Sequence, residues 1–276
     1  MSWRGVITAL DPATRYRSRI AVYQHPLAGR PVLWHVVTTM MAVDPPPDDI
    51  TVLHRSNSSP ILPSDPAILL VPRAVEPGME AQAVRRAIAS PGMFVFVDGR
   101  APLVEPASLL RLLRASEESV AALGEAQDGA PVAVAGEGPA LAAFDDPLHP
   151  TAVAMLEPAS DGESMRIEDR AAFARAAMLM RDRIVRRHQE QGVSFMLPAT
   201  NWVDIDVTIG ADTLLYPGVL LEGQSEVGNE CVIGPHCRIV ESRIGRGVEM
   251  KGWNYVTHTS IRNHAVLDPY VRRGYD

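Results

Sequence analysis

The chain has 276 residues, 46% hydrophobic and 21% charged, enough for one large core or two smaller ones. Its 26 Lys and Arg against 33 Asp and Glu give a net charge of −7, which argues against a broad nucleic-acid-binding surface. No run of roughly 18 apolar residues is present, so no membrane span is expected. No N-terminal segment combines a basic start, an apolar middle and a small-residue cleavage site. The expectation is a cytoplasmic protein, and two cysteines, Cys231 and Cys237, make no disulfide framework.

From the N-terminus, apolar runs alternate with helical patterns. "GVITAL" (5–10), "ITVLH" (50–54), "AILLV" (67–71), "GMFVFVDG" (92–99) and "APVAVAG" (130–136) read as buried parallel strands. "RPVLWHVVTTMMAV" (30–43), "MEAQAVRRAIAS" (79–90) and "PASLLRLLRAS" (106–116) read as the helices between them. The alternation predicts a doubly wound α/β sheet with its ligand site at the carboxyl ends of the strands. The first such end carries "ALDPATRYRS" (9–18), where only Thr14 and Arg15 suit an anion. A phosphate-holding loop ordinarily needs glycine for close backbone approach, and here Asp11 and Pro12 stand in the turn. "VDPPPDD" (43–49) and "SSPILPSDP" (58–66) are loops. Asn57-Ser58-Ser59 fits a glycosylation acceptor but reads as a polar turn. "EGPALAAFDDPLHP" (137–150) has little periodicity and reads as a surface excursion.

Residues 166–193 predict one long helix rich in Ala, Met, Leu and Arg, stopped by Gly192. Glu168 and Asp169 fall in its first turn, with Arg181, Arg183, Arg186 and Arg187 toward its end as a solvated face. Then aliphatic residues recur every six positions: Val203, Ile209, Leu215, Leu221, Val227, Ile233 and Ile239. After a slip of one residue the series resumes at Ile244 and Met250 and closes with Ile261 and Leu267. Neither a period of 3.6 nor one of 2 gives a strict six. A triangular coil does, with one hexapeptide per side, the aliphatic residue inside and a glycine-type residue at the corner. Residues ~203–272 are thus expected to make about four coils of left-handed parallel β-helix. Cys231 and Cys237 take the same small inward slot on consecutive sides and read as packed thiols, a metal or redox pair being the alternative.

This order of parts resembles the bifunctional N-acetylglucosamine-1-phosphate uridyltransferase/glucosamine-1-phosphate acetyltransferase family. The resemblance is carried from "DRAAFARAAMLMRDRIVRRHQEQGV" through "ECVIGPHCRIVESRIGRGVEMK", and more faintly by "TRYRS", "HPLAGRPVLWHV", "EAQAV" and "DGRAPLV". It implies a nucleotidyltransferase-like domain over 1–165, a connecting helix over 166–193 and a β-helix over 194–276. It also implies a homotrimer built through the β-helix. Matched residue by residue, the nucleotide site has lost much. Asp11 and Ala13 stand for loop glycines, Thr14 and Arg15 are kept, and a phosphate-contacting lysine falls on Val22. A metal-binding aspartate falls on Arg100, a second metal ligand falls near Glu168, and a uracil-contacting segment is reduced to "MEAQAV" with Gln82.

The candidate ligand-binding residues are therefore Thr14, Arg15, Arg100 and Gln82, toward a sugar nucleotide. The chain stops near the start of the family's acetyl-transfer site, where only Arg272 or Arg273 could match its first arginine. His258 is the candidate general base if acyl transfer occurs, and an outward or interface histidine if it does not. The expected function is a sugar-nucleotide-binding or trimeric assembly protein whose uridyltransferase site is degenerate. The alternative is an active transferase of sugar phosphates, which would use Mg²⁺ and acetyl-CoA.

Overall fold

The computed structural model describes residues 2–10, 16–56, 59–125, 131–151 and 153–274. The chain divides into two units, one of residues 1–26 and 31–176, the other of 27–30 and 177–276. Among the described residues no helix is long and apolar enough to cross a membrane.

The first unit is an α/β sheet. Its strands are β1 (Trp3–Ala9), β2 (Asp49–Arg55), β3 (Leu69–Val75), β4 (Met93–Asp98), β5 (Ala121–Glu125), β6 (Pro131–Glu137) and β7 (Ala154–Leu156). They lie in the order β3-β2-β1-β4-β6-β5-β7. The helices are α1 (Val32–Met41), α2 (Glu80–Ala87), α3 (Pro106–Ala115) and a short α4 (Gly138–Ala142). The central pairings are parallel, but β6 runs antiparallel to both β4 and β5, so the sheet is mixed. The short connection from β5 to β6 permits nothing else, because a parallel neighbour needs a long crossover.

Each central strand is buried on both faces, which is why it reads as an unbroken apolar run. Trp3, Ile7, Val95 and Val97 join one core with Val36, Met40, Leu109 and Leu112 of α1 and α3. Val6, Phe94, Phe96 and Val134 join the other with Val84 of α2 and Leu141 of α4. The 137–150 segment is no mere excursion. It forms α4, sends Phe144 and Leu148 against that core, and is held by Arg85, which donates to the carbonyls of Ala142, Phe144 and Asp145.

The long helix, α5 (Arg170–Glu190), starts later than its pattern suggests. Asp169 is its cap, the side chain accepting from Ala172 N–H at 2.7 Å, so Arg166–Glu168 lie outside the helix. The unit boundary falls within it, at Ala176–Ala177. Arg181 and Arg187 are not simply solvated. They donate to the carbonyls of Ala199 (2.9 Å) and Ile205 (3.0 Å) in the first coil that follows.

The second unit is a left-handed parallel β-helix of three sheets with five, five and four short strands. It begins at Ser194, one side earlier than the aliphatic series implies, because Phe195 pairs with Leu215 as a further inward position. The aliphatic residues stack coil on coil: Leu215, Ile233, Met250 and Leu267 on one sheet, Val203, Leu221, Ile239 and Val256 on the next, and Ile209, Val227, Ile244 and Ile261 on the third. Val256 fills a slot that the series skips. The one-residue slip after Ile239 recurs after Val256, at the same corner, so later coils are one residue shorter.

The corners are built differently from expectation. Gly210, Gly228, Gly234 and Gly245, which follow the aliphatic residues, do not carry the left-handed turn. They sit where the next coil passes, and a Cβ on Gly228 would lie 2.7 Å from Arg246 N, on Gly234 2.4 Å from Met250 O. The positive φ falls later and mostly on other residues: Asp212 (60°), Glu230 (59°), His236 (55°), Glu241 (45°), Trp253 (51°), His258 (44°) and His264 (56°). Inside, Thr213, Ser225 and Ser242 accept from Cys231, Ser242 and Thr259 N–H of the following coil. Cys231 and Cys237 are buried free thiols whose pKa values burial pushes up, as packed thiols should be.

Candidate functional site

A cleft of about 550 Å³ opens in the first unit at the carboxyl ends of β1, β2 and β4. This is where an open α/β sheet places its ligand. Thr8, Ala9 and Leu10 come from the end of β1, Arg55 from β2, Val97 and Asp98 from β4, and Glu80 and Val84 from α2. Asp145–His149 form one wall, and Arg100 and Arg166 complete the floor.

The floor is set by the turn after β4. Gly99 passes so close to β1 that a Cβ would lie 2.9 Å from Thr8 O. Asp98 Oδ1 accepts Arg100 N–H at 2.9 Å, closing the turn, and the Arg100 side chain folds back onto the same carboxylate. Its Nε lies 3.1 Å from Oδ1 and its Nη2 2.8 Å from Oδ2. Arg166 reaches the carboxylate from the other side, with Nε 2.8 Å from Oδ2. That contact is an ion pair out of hydrogen-bond line, since this Nε has no aligned acceptor. Arg166 is held by Pro131 O, which accepts from Nη2, and by Ile167 N–H donating to Arg100 O at 2.9 Å. Upstream, buried Glu163 accepts from Glu105 N–H and Ala159 N–H, tying this segment to the start of α3.

The three side chains Asp98, Arg100 and Arg166 are only 14%, 16% and 4% exposed. Burial pushes the Asp98 carboxyl up. The hydrogen bonds and charge of Arg100, with the charge of Arg166, outweigh it and hold the group below the ordinary carboxylate range. Asp98 is thus a fixed anion between two fixed cations. Nearer the rim, Arg55 pairs with Glu80 and donates to Leu10 O, and Asp146 pairs with His149 at 2.7 Å.

Comparison with known proteins places this architecture. The bacterial transferase hexapeptide (six repeats) family matches residues 206–240. The bifunctional protein GlmU of Bacillus velezensis is 37% identical over 119 residues, which is 43% of this chain and 26% of that protein. GlmU of Limosilactobacillus reuteri is 46% identical over 88 residues, 32% of this chain and 19% of its own. The matches lie in the C-terminal part. The C-terminal part of this chain is similar to part of the GlmU proteins. It aligns with about a quarter of the length of those relatives. For the first unit, a solved Bacillus anthracis structure described as a glucose-1-phosphate thymidylyltransferase aligns with a TM-score of 0.50 at 11% identity. It covers 65% of this chain and 96% of its own, and shows the nucleotidyltransferase-like fold.

Arg100 lies in the cleft floor. Thr14 and Arg15, with Asp11 and Ala13, lie outside the described residues, as does Asn57-Ser58. Of the loop's flanks, Leu10 lines the cleft, and Tyr16 is buried against His25 (ring centroids 4.7 Å apart) with Arg170 over its ring. Val22, at the lysine position, is buried, and the neighbouring Tyr23 lines the cleft. Gln82 is exposed on α2 and is not a lining residue, whereas Glu80, Ala81 and Val84 are. Glu168 does not line the cleft either; Arg166, two residues earlier, does. His258 is an exposed corner residue of the β-helix, its N–H donating to Val240 O at 3.0 Å. It lies beside Arg238, Tyr255 and Arg272 on a shallow outer face.

The cation that the resemblance implies does not fit this floor. Its carboxylate, Asp98, is already shared by two guanidinium groups, and a divalent ion would have to sit beside both. Among the described residues no group of three or more His, Cys, Asp or Glu is arranged to hold a metal. Sequence reading found Arg100 but missed Asp98 and Arg166. Asp98 was legible as the polar residue ending an apolar strand; Arg166 left no local signal, since it joins the floor through a contact 68 positions away.

Proposed function

We infer that this GlmU-like chain binds a sugar phosphate or sugar nucleotide in the cleft of its first unit without transferring a nucleotidyl group. We infer further that it assembles as a homotrimer through its β-helix. The observation that carries the first reading is the Arg100–Asp98–Arg166 cluster. It lies at the place where nucleotidyl transfer would gather metal and phosphates, and it offers guanidinium groups instead of metal ligands. His258, in a left-handed corner at the periphery of the coil, is read as a structural residue.

Two measurements test this reading. A coupled pyrophosphate assay with UTP, N-acetylglucosamine-1-phosphate and Mg²⁺ should give no turnover above background. Mg²⁺-dependent turnover would overturn it. Light scattering should return three times 30.0 kDa, and a clean monomer would sink the assembly.

A further inference from the structure

The outside of the β-helix is apolar on one flank only. Among the described residues from Ser194 onward, every exposed large apolar side chain lies on one sheet or on the corner that follows it. Val232 and Val266 point outward from the sheet whose inward residues are Ile233 and Leu267. Met196, Leu197, Tyr216, Trp253 and Tyr270 lie on the corner. The second sheet carries Arg238 and Arg272 over the ring of Tyr255, and the third turns Thr208, Glu226, Arg243 and Ser260 outward. On the apolar corner the rings form a ladder, one to a coil. His236 lies over Gly218, where a Cβ would meet its Nδ1 at 2.4 Å. Trp253 follows with ring centroids 5.6 Å apart, and Tyr270 with 5.7 Å. All three occupy the left-handed corner position, so backbone and neighbouring rings hold them in place before any contact is made. Aromatic side chains ordered in advance bury a large area at little entropic cost, which suits them to anchor an interface.

The shape of the flank selects its partner. Side chains recur along it at the strand spacing of about 4.8 Å, and a second copy of the β-helix presents the same step. In a closed ring of three parallel prisms, each sees its two neighbours about 60° apart. A corner of a triangular prism and the middle of the adjoining side differ by that angle, so corner-on-side contact, repeated, closes at three. A rotation along the prism axis adds no translation, so rung meets rung. Tyr216 comes opposite Leu214, His236 opposite Val232, and Tyr270 opposite Val266. At the remaining rung the sheet carries Glu249, and the corner brings the Trp253 indole N–H and Lys251, itself paired with Asp268. The one charge among these outward positions thus meets a donor and a cation.

We propose that the aromatic corner of one copy, His236–Trp253–Tyr270, packs on the outward face Leu214–Val232–Glu249–Val266 of the next, a heterologous contact that closes around a threefold axis. This rests on the reading of the chain as a homotrimer, and the experiment separates the two. The full chain and three single variants are compared by light scattering at micromolar concentration. The unmodified protein should have three times the mass of the 30.0 kDa chain. Trp253→Glu sets a carboxylate against Glu249, and Val266→Arg breaks the receiving face. Each should lower the mass threefold with an unchanged far-ultraviolet spectrum, because both side chains are exposed in the single chain and neither belongs to the prism core. Ser260→Arg, on the third sheet, should leave the mass at three chains. A trimer that survives either Trp253→Glu or Val266→Arg, or one that Ser260→Arg dissociates as readily, would overturn the corner-on-face contact and leave the trimer standing. An unmodified protein that is not a trimer would remove both.

Discussion

The two units place their charges in opposite ways. Up the outside of the β-helix run Arg238–Glu222, Arg243–Glu226, Arg246–Glu230 and Lys251–Asp268, each pair joining one coil to the next in full or partial contact with water. In the α/β unit, Asp98 and Arg166 are withdrawn to the floor of a cleft. The first arrangement follows from the repeat, since outward positions one coil apart must face each other. The second follows from no repeat and is a poor device for stability, because desolvating ions consumes most of what their attraction returns. Apolar residues of the same volume would stabilise the sheet as well. What a buried cluster does better is hold charge at a fixed point, which a binding site requires.

The contrast breaks first if the β-helix tolerates charge inside. Ile233 is fully buried between Leu215 and Met250 on its sheet. Ile233→Asp sets a carboxylate there without a partner, and the unit should fail to fold. A soluble Ile233→Asp protein with an unaltered far-ultraviolet spectrum and melting temperature would show that the coil register is wrong. The next effect belongs to the cleft. Asp98→Ala leaves two guanidinium groups facing each other in the floor, and should destabilise the α/β unit by about 3–5 kcal/mol in urea denaturation. Loss within error of zero would mean that water, not the carboxylate, neutralises them.

Legibility in the sequence divides along the same line. The central strands β1, β2, β4 and β6 could be read because burial on both faces makes apolar runs. In contrast, β3, expected to be buried, is a largely exposed edge strand, and β5 and β7 were not foreseen. The coils could be read because each inward residue recurs at a fixed step. The corners were misassigned, since glycine after Ile209 or Ile233 looks like a turn residue but serves close passage of the next coil. The antiparallel direction of β6 was missed because β5, the partner that a short connection joins to it, was not read as a strand. At the site, Arg100 was readable through its neighbours in "DGRAPL". Its partner Arg166 stood inside what looked like the start of a helix, and only the Asp169 cap moves that start downstream. Contacts made by chain geometry over long separations leave no pattern to read.

A smaller effect tests whether burial without a partner is confined to the cleft. His188, near the end of α5, is buried with both ring nitrogens lacking hydrogen-bond partners. Burial, helped by the charge of Arg187, lowers its pKa from 6.5 to about 4. Between those values the unfolded chain binds the proton and the folded chain does not. Stability from this residue is therefore complete above pH 6.5 and is lost as pH falls toward 4, by about 3 kcal/mol in all. Urea midpoints measured between pH 7 and pH 4 should fall more steeply in the unmodified protein than in His188→Phe. Equal slopes would mean that the imidazole finds a partner when charged.

The smallest effect is expected on the outer ladder. Arg243 Nε lies 2.8 Å from Glu226 Oε2, yet the two side chains are 69% and 50% exposed. Water and salt screen such a pair, and ordering two long side chains offsets much of the attraction. The rise in the Arg243 pKa, caused first by its hydrogen bond to Glu226, marks a contact and not a contribution to folding. Arg243→Gln should leave the melting temperature unchanged at physiological salt, even though the contact is well formed. The informative variable is ionic strength, because the ladder repeats from coil to coil and several charges could act together. If the four pairs work as one network, Arg243→Gln will lower the melting temperature in dilute buffer and the difference will vanish as salt is added. That result would blur the contrast between the units, since charge on the outside of the β-helix would then act as a network and contribute to its stability.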